Sequence, residues 1–152
     1  NNIGIDILFT DAEDMGRYGE SDTWAIGSKL FSQNYPEPLP QFAICVDMVG
    51  DKDLEIKMEQ YSYQMAPQLM NYIWNLANQK GYDHFKWELG PAIVDDHLSF
   101  STITKIPSID LIDLDYLYWH TINDTPDNVS QYNLGIVGNV LLEFLYNMDQ
   151  NE

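Results

Sequence analysis

The sequence predicts an α/β fold, a three-layer sandwich in which a mostly parallel central sheet carries helices on both faces. Short apolar segments alternate along the chain with segments whose apolar residues recur at helical spacing. The strand-like segments lack a clean alternation of polar and apolar residues, which is typical of strands covered on both sides. With 152 residues, of which 45% are hydrophobic, the chain can form a single domain with its own core.

Four short apolar runs are predicted to be strands of this sheet. In chain order they are Ile3–Phe9, Gln41–Val49, Leu54–Glu59 and Ile109–Leu114. The second contains the single cysteine, Cys45, which is typical of a small core residue in this setting. One cysteine excludes an internal disulfide framework and a zinc cluster built from thiolates.

Three helices are predicted between and after these strands. Thr23–Phe31 is a short helix, and the proline-rich Asn34–Pro40 connects it to the next strand along the surface. The helix Pro67–Gln79 has proline in its first turn, where proline is favoured, and Gly81 is placed to end it. Ser130 is predicted to cap a last helix that has one apolar face.

The balance of charge excludes two classes of partner. The chain has 24 acidic residues and 7 basic residues, for a formal net charge of −17. Nucleic acids and anionic membrane surfaces repel such a protein. No apolar run reaches the length of about 18–20 residues that a membrane span requires.

Acidic residues follow the predicted strands, where parallel sheets bind their ligands. Crowded carboxylates repel one another, and a divalent cation relieves that repulsion. Carboxylate oxygens and imidazole nitrogens, without thiolates, are typical ligands of zinc in hydrolytic enzymes. Such sites have three protein ligands and leave one coordination position open. The candidate residues are Asp11, Glu13, Asp14, Asp47, Asp95, Asp96, His97, Asp110, Asp113, Asp115 and His120.

The order of these motifs resembles that of a known enzyme family. DAED, Gly27-Ser28, VDMVGD, DDHLSF, IPSIDLI and YWHTINDTPDNV follow one another along the chain. In this order they resemble the zinc-dependent exopeptidases of the aminopeptidase type and their relatives, the animal-type glutaminyl cyclases. The resemblance runs from Ile7 to about Tyr146. It implies that residues 1–152 are the C-terminal portion of a single catalytic domain of that family.

The resemblance implies which residues bind metal. Asp14 and His120 correspond to zinc ligands, although Asp14 is one methylene shorter than the glutamate that many members have. A further aspartate ligand, and in the aminopeptidases a histidine, belongs to a segment upstream of this chain. We therefore expect a missing N-terminal half, or a second chain, as a partner. The cyclases hold one zinc ion and the aminopeptidases hold two.

The resemblance also implies residues for catalysis and substrate binding. Glu13 corresponds to the residue that transfers protons. Asp47 corresponds to a hydrogen-bonding acid in the cyclases and to a ligand of the second metal in the aminopeptidases. Asp95 corresponds to a further acid in the proton network, and Trp119 to an apolar wall for the substrate. The substrate implied is the N-terminus of a peptide or protein.

Two features favour the cyclase branch of the family. Twelve residues separate Asp14 from Gly27, a length that is typical of the cyclases. The cyclases have Asp-Asp-His where the peptidases commonly have Ser-Asp-His, and this chain has Asp95 at that position. Two other features depart from the pattern, because Gly19 replaces an expected tryptophan and Lys105 replaces a usual glycine.

Three functions therefore remain open on the sequence. The favoured one is a zinc-dependent glutaminyl cyclase, which converts N-terminal glutamine to pyroglutamate and releases ammonia. The alternatives are a di-zinc aminopeptidase and a non-catalytic fragment with an incomplete metal site. We expect an active parent protein in the periplasm, at the cell surface or secreted, and an inactive isolated fragment.

Overall fold

The computed structural model describes residues 3–148, in which four strands and five α-helices form. The strands are β1 (Ala43–Asp47), β2 (Ile56–Met58), β3 (Phe85–Leu89) and β4 (Ser108–Ile112). The helices are α1 (Ile26–Gln33), α2 (Gln60–Met65), α3 (Pro67–Gln79), α4 (Asp96–Thr104) and α5 (Gln131–Met148). Short 3-10 turns cover Ser21–Thr23 and Pro126–Asn128.

All strand pairing in residues 3–148 within regular strands is parallel. β1 pairs with β4 in a register that runs from Ala43 opposite Ser108 to Asp47 opposite Ile112. β2 pairs with β3, and these two pairs form separate hydrogen-bonded ladders. A side chain bridges them, because the Glu55 amide donates a 3.0 Å hydrogen bond to Asp113 Oδ2. The predicted α/β class with parallel strands is confirmed.

The two faces of β4 carry opposite kinds of side chain, although all five of its residues are buried. Ile109 and Leu111 belong to the apolar core, which α3 and α5 complete. Successive side chains of a strand point to opposite faces, so Asp110 points the other way. There it lies against α2 and α4, and its amide donates a 2.9 Å hydrogen bond to Ser62 Oγ. Helices therefore cover both faces of this strand.

Aromatic residues fill the apolar core. The Trp74 side chain is fully buried, and its Nε1 donates a 2.8 Å hydrogen bond to the Lys86 carbonyl oxygen. Its ring meets the ring of Phe85 edge to face, with centroids 5.2 Å apart. Phe144 of α5 makes similar contacts with Phe42 and Tyr72, at 5.1 Å and 5.7 Å. These contacts join α5 and α3 to the strands.

The prediction of a buried strand at Ile3–Phe9 is wrong for this structure. The segment has no regular secondary structure, and the side chains of Ile7 and Phe9 are 78% and 91% exposed. A strand needs a neighbour to pair its backbone groups, and none of the described residues pairs with this segment. Side chains hold it instead, because Thr10 Oγ1 donates to Asp96 Oδ2 and Tyr35 donates to Asp6.

The predicted bounds of α3 are confirmed, whereas α1 begins later than predicted. α3 has the predicted bounds, and Gly81 follows it with a φ of +77°. Ala25 adopts a left-handed conformation, so α1 begins at Ile26 instead of Thr23. Lys105 caps the C-terminal end of α4, and its φ of 65° is in the region that glycine adopts most easily. This explains why a glycine is usual at that position.

α5 begins as predicted, because Ser130 Oγ accepts a 3.2 Å hydrogen bond from the Asn133 amide. It is 18 residues long, and Val137, Val140 and Phe144 lie on its buried face. Exposed Tyr132 and Leu142 lie on its other side. Within residues 3–148 no helix combines the length and the apolar character needed to cross a membrane.

We predict opposite effects for alanine at two glycines. Gly81→Ala should lower the free energy of unfolding by about 1–2 kcal/mol, because a left-handed residue with a side chain is strained. Gly138→Ala should raise it by about 1 kcal/mol, because alanine favours the interior of a helix and the site is open. Urea unfolding measures both, and a lower midpoint for Gly138→Ala would contradict the assignment of α5.

Candidate metal centre and its acid network

Backbone hydrogen bonds fix the acidic loop that precedes α1. Three consecutive amides at the start of α1 donate to three consecutive carbonyl oxygens of the loop. The pairs are Ala25 to Glu13 at 3.1 Å, Ile26 to Ala12 at 3.4 Å and Gly27 to Asp11 at 3.2 Å. A side chain at Gly27 would place its Cβ only 2.2 Å from the Asp11 carbonyl oxygen, so the close approach requires glycine. The loop therefore presents its carboxylates in a defined position.

Asp14 and His120 meet although their positions in the sequence differ by 106. His120 Nε2 lies 3.0 Å from Asp14 Oδ1, and the two side chains are 47% and 66% exposed. The ring of Trp119 lies against that of His120, with centroids 4.4 Å apart and planes inclined by 32°. Trp119 is half exposed. The three side chains form an open, partly apolar surface.

This pair has the donor atoms and the spacing that a zinc ion requires. Bonds of about 2.0–2.2 Å from a tetrahedral zinc ion to nitrogen and oxygen place neighbouring ligand atoms roughly 3.3 Å apart. The observed separation of 3.0 Å is close to this value. Asp14 and His120 therefore fit as two of the ligands, although their role as ligands stays a prediction.

Glu13 and Asp47 belong to a cluster of carboxyl groups beside this pair. Partial burial, a hydrogen bond with Asp14 and the charges of Asp95, Asp14 and Asp47 raise the pKa of Glu13 to about 8. Partial burial and the charge of Asp95 raise the pKa of Asp47 to about 6, against a hydrogen bond from the Met48 amide. The structure thus brings Glu13, Asp47 and Asp95 together, as predicted for a proton network, while their catalytic roles stay predictions.

Asp95 occupies the buried side of this cluster. It is only 3% exposed and caps α4, where its side chain accepts a hydrogen bond from the Asp96 amide. The Leu98 amide donates to its carbonyl oxygen at 3.1 Å. Cys45 Sγ of β1 lies 3.9 Å from Asp95 Oδ2. The start of α4 therefore holds Asp95 against β1.

Behind Asp95 lie the ionisable side chains of Glu59, His97 and Asp110, and the sequence did not reveal the network roles of Glu59 and Asp110. His97 Nε2 lies 3.1 Å from Glu59 Oε2, and His97 Nδ1 lies 3.4 Å from Asp110 Oδ2, with every side chain fully buried. Burial and the nearby Asp95 raise the pKa of Asp110 well above the usual carboxyl range. Burial would raise the pKa of Glu59 too, but hydrogen bonds from His97 and Ser62 lower it to about 2.

Sequence reasoning missed Glu59 because it lies in KMEQYS, outside the motifs that carry the resemblance. Its only sequence signal is its position before a helix, where an acidic side chain can cap exposed amides. It does so here, since it accepts hydrogen bonds from the Tyr61 and Ser62 amides. Asp110 resembled one of several strand-end acids, whereas it lies in the middle of β4.

Two other groups of side chains have metal-binding spacing. Ligand atoms of Asp95, His97 and Asp110 lie within 4.8 Å of one another, as do those of Cys45, Asp95 and Asp96. The first group is fully enclosed, and protons can satisfy its unpartnered atoms because the pKa of Asp110 is raised. The pair of Asp14 and His120 has an open side for a substrate. It is therefore the better candidate for a catalytic ion.

Left-handed backbone conformations occur at three turns of this site. They are found at Ala12, Met48 and His120, with φ values of 52°, 49° and 55°. Ala12 precedes Glu13, and Met48 follows Asp47. Non-glycine residues rarely adopt this conformation, which is enriched at functional sites. These turns direct the carboxyl and imidazole groups toward one another.

Comparisons with known proteins identify similar sequences and structures. The model of "Peptidase family M28" matches residues 1–145. Glutaminyl cyclase of Bacteroides thetaiotaomicron, bound to N-acetylhistamine, is 34% identical with a TM-score of 0.87, over 91% of this chain and 52% of that chain. A leucine aminopeptidase precursor of the same organism is 34% identical with a TM-score of 0.87, over 91% of this chain and 51% of that chain. No curated protein matches the chain.

A third solved structure has the same extent of similarity. It is a Zn-dependent exopeptidase of Parabacteroides distasonis, 32% identical with a TM-score of 0.85, over 91% of this chain and 53% of that chain. The chain thus spans about half the length of the solved structures that it matches. Cyclases and exopeptidases match it equally well, so these similarities do not separate the two activities.

The raised pKa of Asp47 predicts how the stability of the metal-free chain depends on pH. Its pKa is 3.8 in ordinary surroundings and about 6 here, so the folded chain binds this proton more tightly than the unfolded chain. The stabilisation is complete below about pH 4 and is lost as the pH rises through about 6. Asp47→Asn cannot ionise, so its free energy of unfolding relative to the wild type should increase over this range.

Urea unfolding at several pH values between about 4 and 7 measures this difference. Asp127→Asn is the matched control, because Asp127 is an exposed acid in the turn Pro126–Asn128. A difference for Asp47→Asn that stays constant with pH would contradict the crowding of the acid network.

Proposed function

The chain belongs to peptidase family M28, and from that premise we propose that it forms part of a zinc-dependent glutaminyl cyclase. The enzyme would convert the N-terminal glutamine of a peptide or protein to pyroglutamate and release ammonia. The observation that carries this proposal is the group of Glu13, Asp47 and Asp95 beside the pair of Asp14 and His120. Three carboxyl groups that share protons suit a reaction in which one proton moves between two nitrogen atoms.

The pKa values in this network suit proton transfer near neutral pH. A general acid–base catalyst works best when its pKa lies near the pH of the reaction. The pKa values of Glu13 and Asp47 are raised to about 8 and about 6, on either side of neutrality. The charge of Asp95 contributes to both of these raised pKa values, so an aspartate at this position keeps protons on its neighbours up to a higher pH.

Cyclisation needs one bond to form, one to break and one proton to move. The free α-amine attacks the side-chain amide carbon of the glutamine, and the bond from that carbon to the amide nitrogen breaks. Glu13 accepts the proton from the α-amine and delivers it to the departing nitrogen, which leaves as ammonia. Asp47 and Asp95 hold the proton network around Glu13. The exposed side of Trp119 offers an apolar wall to the glutamine side chain.

Asp14 and His120 would hold the zinc ion in this scheme. When bound, zinc acts as a Lewis acid toward the amide carbonyl group. A bound cation at this pair would also relieve the repulsion between the neighbouring carboxyl groups. The enzyme would hold one ion per chain as a cyclase.

A di-zinc aminopeptidase is the second candidate. The similarity to the leucine aminopeptidase precursor favours it, and so does the position of Asp47. Its side chain is accessible, and its charge is coupled to that of Asp14. In that enzyme Asp47 would bind a second zinc ion, and Glu13 would accept a proton from the attacking water.

The active protein is proposed to include a complementary segment, as an N-terminal half or a second chain. The chain spans about half of the solved structures that it matches. Ile7 and Phe9 are exposed, and so is Val46 on β1, whose pairing within residues 3–148 is with β4 alone. A further strand beside β1 would cover them, and the added segment would supply the remaining metal ligand. The fragment alone would then be inactive.

A location in the periplasm, at the cell surface or outside the cell is also proposed. It rests on the resemblance to exported relatives. The absence of a membrane-spanning helix from the described residues is compatible with each of these compartments.

Asp47→Asn separates the two enzyme candidates, and the test uses the longer parent protein loaded with zinc. For a cyclase, the zinc content should stay at one per chain, while turnover of a glutaminyl peptide falls by roughly 10²–10⁴-fold. For an aminopeptidase, two zinc ions should be present and the substitution should remove one. Metal analysis, ammonia release and amino acid release measure these outcomes.

Glu13→Gln should stop either reaction and leave the zinc content unchanged, whereas the surface variant Asp127→Asn should change nothing. Two zinc ions per parent chain, together with release of amino acids and no ammonia, would replace the cyclase by the aminopeptidase. A parent protein that binds no zinc and has neither activity would overturn both.

Phe9→Ser tests the complementary segment. In the isolated chain it should leave the free energy of unfolding unchanged, because the ring is exposed. In the longer protein it should lower that free energy by about 3–5 kcal/mol, because the ring would be buried there. Ile122→Ser is the control, since Ile122 is equally exposed and lies in a loop of the candidate site. An equal effect of Phe9→Ser in the two proteins would contradict the proposed cover.

A further inference from the structure

The Glu59 carboxylate lies behind the open part of the site and is extensively hydrogen-bonded. It is fully buried and accepts five hydrogen bonds. Oε1 accepts from the Tyr61 amide at 2.9 Å and from the Ile93 amide at 3.0 Å. Oε2 accepts from the Ser62 amide at 2.6 Å, from Ser62 Oγ at 2.6 Å and from His97 at 3.1 Å. Glu59 therefore joins α2 to the segment that begins α4.

Two of these bonds are placed symmetrically about Asp95. Ile93 lies two residues before Asp95, and His97 lies two residues after it. The same carboxylate thus anchors the chain on both sides of Asp95. Ser62 extends the anchor to β4, because its Oγ accepts a hydrogen bond from the Asp110 amide.

The same contacts govern where protons lie around Asp95. Glu59 accepts several hydrogen bonds and carries the negative charge, so His97 Nε2 holds a proton. His97 Nδ1 faces Asp110 Oδ2 at 3.4 Å, and Asp110 in turn lies beside Asp95. A change at Glu59 would therefore reach Asp95 through His97 and Asp110.

A helix cap alone does not account for Glu59. Capping α2 needs the bonds from the Tyr61 and Ser62 amides, which a short exposed side chain could accept. Burying a carboxylate costs free energy unless hydrogen bonds compensate it. Here the bonds from Ile93 and His97 compensate it, and neither belongs to α2.

We propose that Glu59 is a positioning residue for the reaction proposed above, which fixes both the backbone around Asp95 and the side of His97 that carries the proton. It touches neither substrate nor metal, and acts on catalysis through Asp95. The inference rests on the proposed function for its catalytic consequence, whereas the anchoring itself can be measured without turnover.

Two substitutions at Glu59 separate anchoring from capping. Glu59→Gln keeps the size of the side chain but removes its charge and presents an amide donor toward its partners. Glu59→Asp keeps the charge and remains a good cap, yet is too short to reach Ile93 and His97 together. Glu88→Gln is the matched control, because Glu88 is exposed on β3.

In the zinc-loaded parent protein, both Glu59 variants should lower kcat for a glutaminyl peptide by about 10–100-fold, as outer residues of metal sites do. KM should stay within about twofold, because Glu59 does not touch the substrate. Glu59→Asp should fold with a lower unfolding midpoint, because its buried carboxylate loses part of the bonding to Ile93 and His97. Glu88→Gln should match the wild type in each respect.

The pH profile adds a measurement that a purely structural role would not change. The groups that face Asp95 and Asp110 are Glu13 of the acidic loop, Cys45 and Asp47 of β1, Glu59 before α2, and Asp96 and His97 of α4. The charge of Glu59 contributes to the raised pKa of Asp110, so loss of that charge makes ionisation of Asp110 easier. The acidic limb of the kcat profile should therefore move to lower pH in Glu59→Gln, but not in Glu59→Asp.

Nitrogen NMR of His97 tests the anchoring without enzyme activity. The wild type should carry a proton on Nε2, and Glu59→Gln should shift it to Nδ1. A folded Glu59→Gln protein with wild-type kcat, pH profile and His97 signals overturns the proposal. If Glu59→Gln does not fold, an unchanged kcat in Glu59→Asp overturns it.

The proposed function can fail separately from this inference. A wild-type parent protein that releases amino acids instead of ammonia overturns the cyclase, and the same variants are then measured on peptide hydrolysis. If the parent has neither activity, the His97 signals decide, and an unchanged proton position in Glu59→Gln overturns the anchoring.

Discussion

The parallel pairing of β1 with β4 is the interaction on which the candidate site depends. It sets β4 between two helical layers, with Ile109 in the apolar core and Asp110 on the opposite face. The same register ends β1 at Asp47, which is close enough to Asp95 at the start of α4 for the charge of Asp95 to raise its pKa. A shift of one residue would turn Asp110 into the apolar core and Ile109 toward His97. Core packing and the placement of the acids are thus consequences of one register.

The sequence predicts those parts of the fold that local interactions determine. The bounds of α3 follow from its proline and from the spacing of its apolar residues, and Ser130 marks the start of α5. Ile3–Phe9 has equally apolar residues, but a strand depends on a partner that composition cannot supply. β3 was missed because Phe85–Leu89 has alternating charges and an exposed outer half.

In the candidate site, too, some residues could be predicted from the sequence and others only from their contacts in the structure. The resemblance to a family pointed to the exposed residues Asp14, Asp47 and His120, which lie within the motifs DAED, VDMVGD and YWHT. It did not identify Glu59, whose partners come from α2, from Ile93 and from His97. A buried polar group is defined by its neighbours in space, and these neighbours are spread over 38 residues of sequence between Glu59 and His97. Its role became visible only from the hydrogen bonds.

The left-handed turns at Ala12, Met48 and His120 have a consequence for how the protein can evolve. At these positions the backbone, and not the chemistry of the side chain, limits which residues are acceptable. Glycine or asparagine could replace Met48 with relief of strain, whereas a β-branched residue would be selected against. As a proposed zinc ligand, His120 would have no such freedom, because it would have to satisfy the backbone conformation and the metal at once. We therefore expect glycine and asparagine, but few β-branched residues, at Met48 among homologues, and almost no variation at His120.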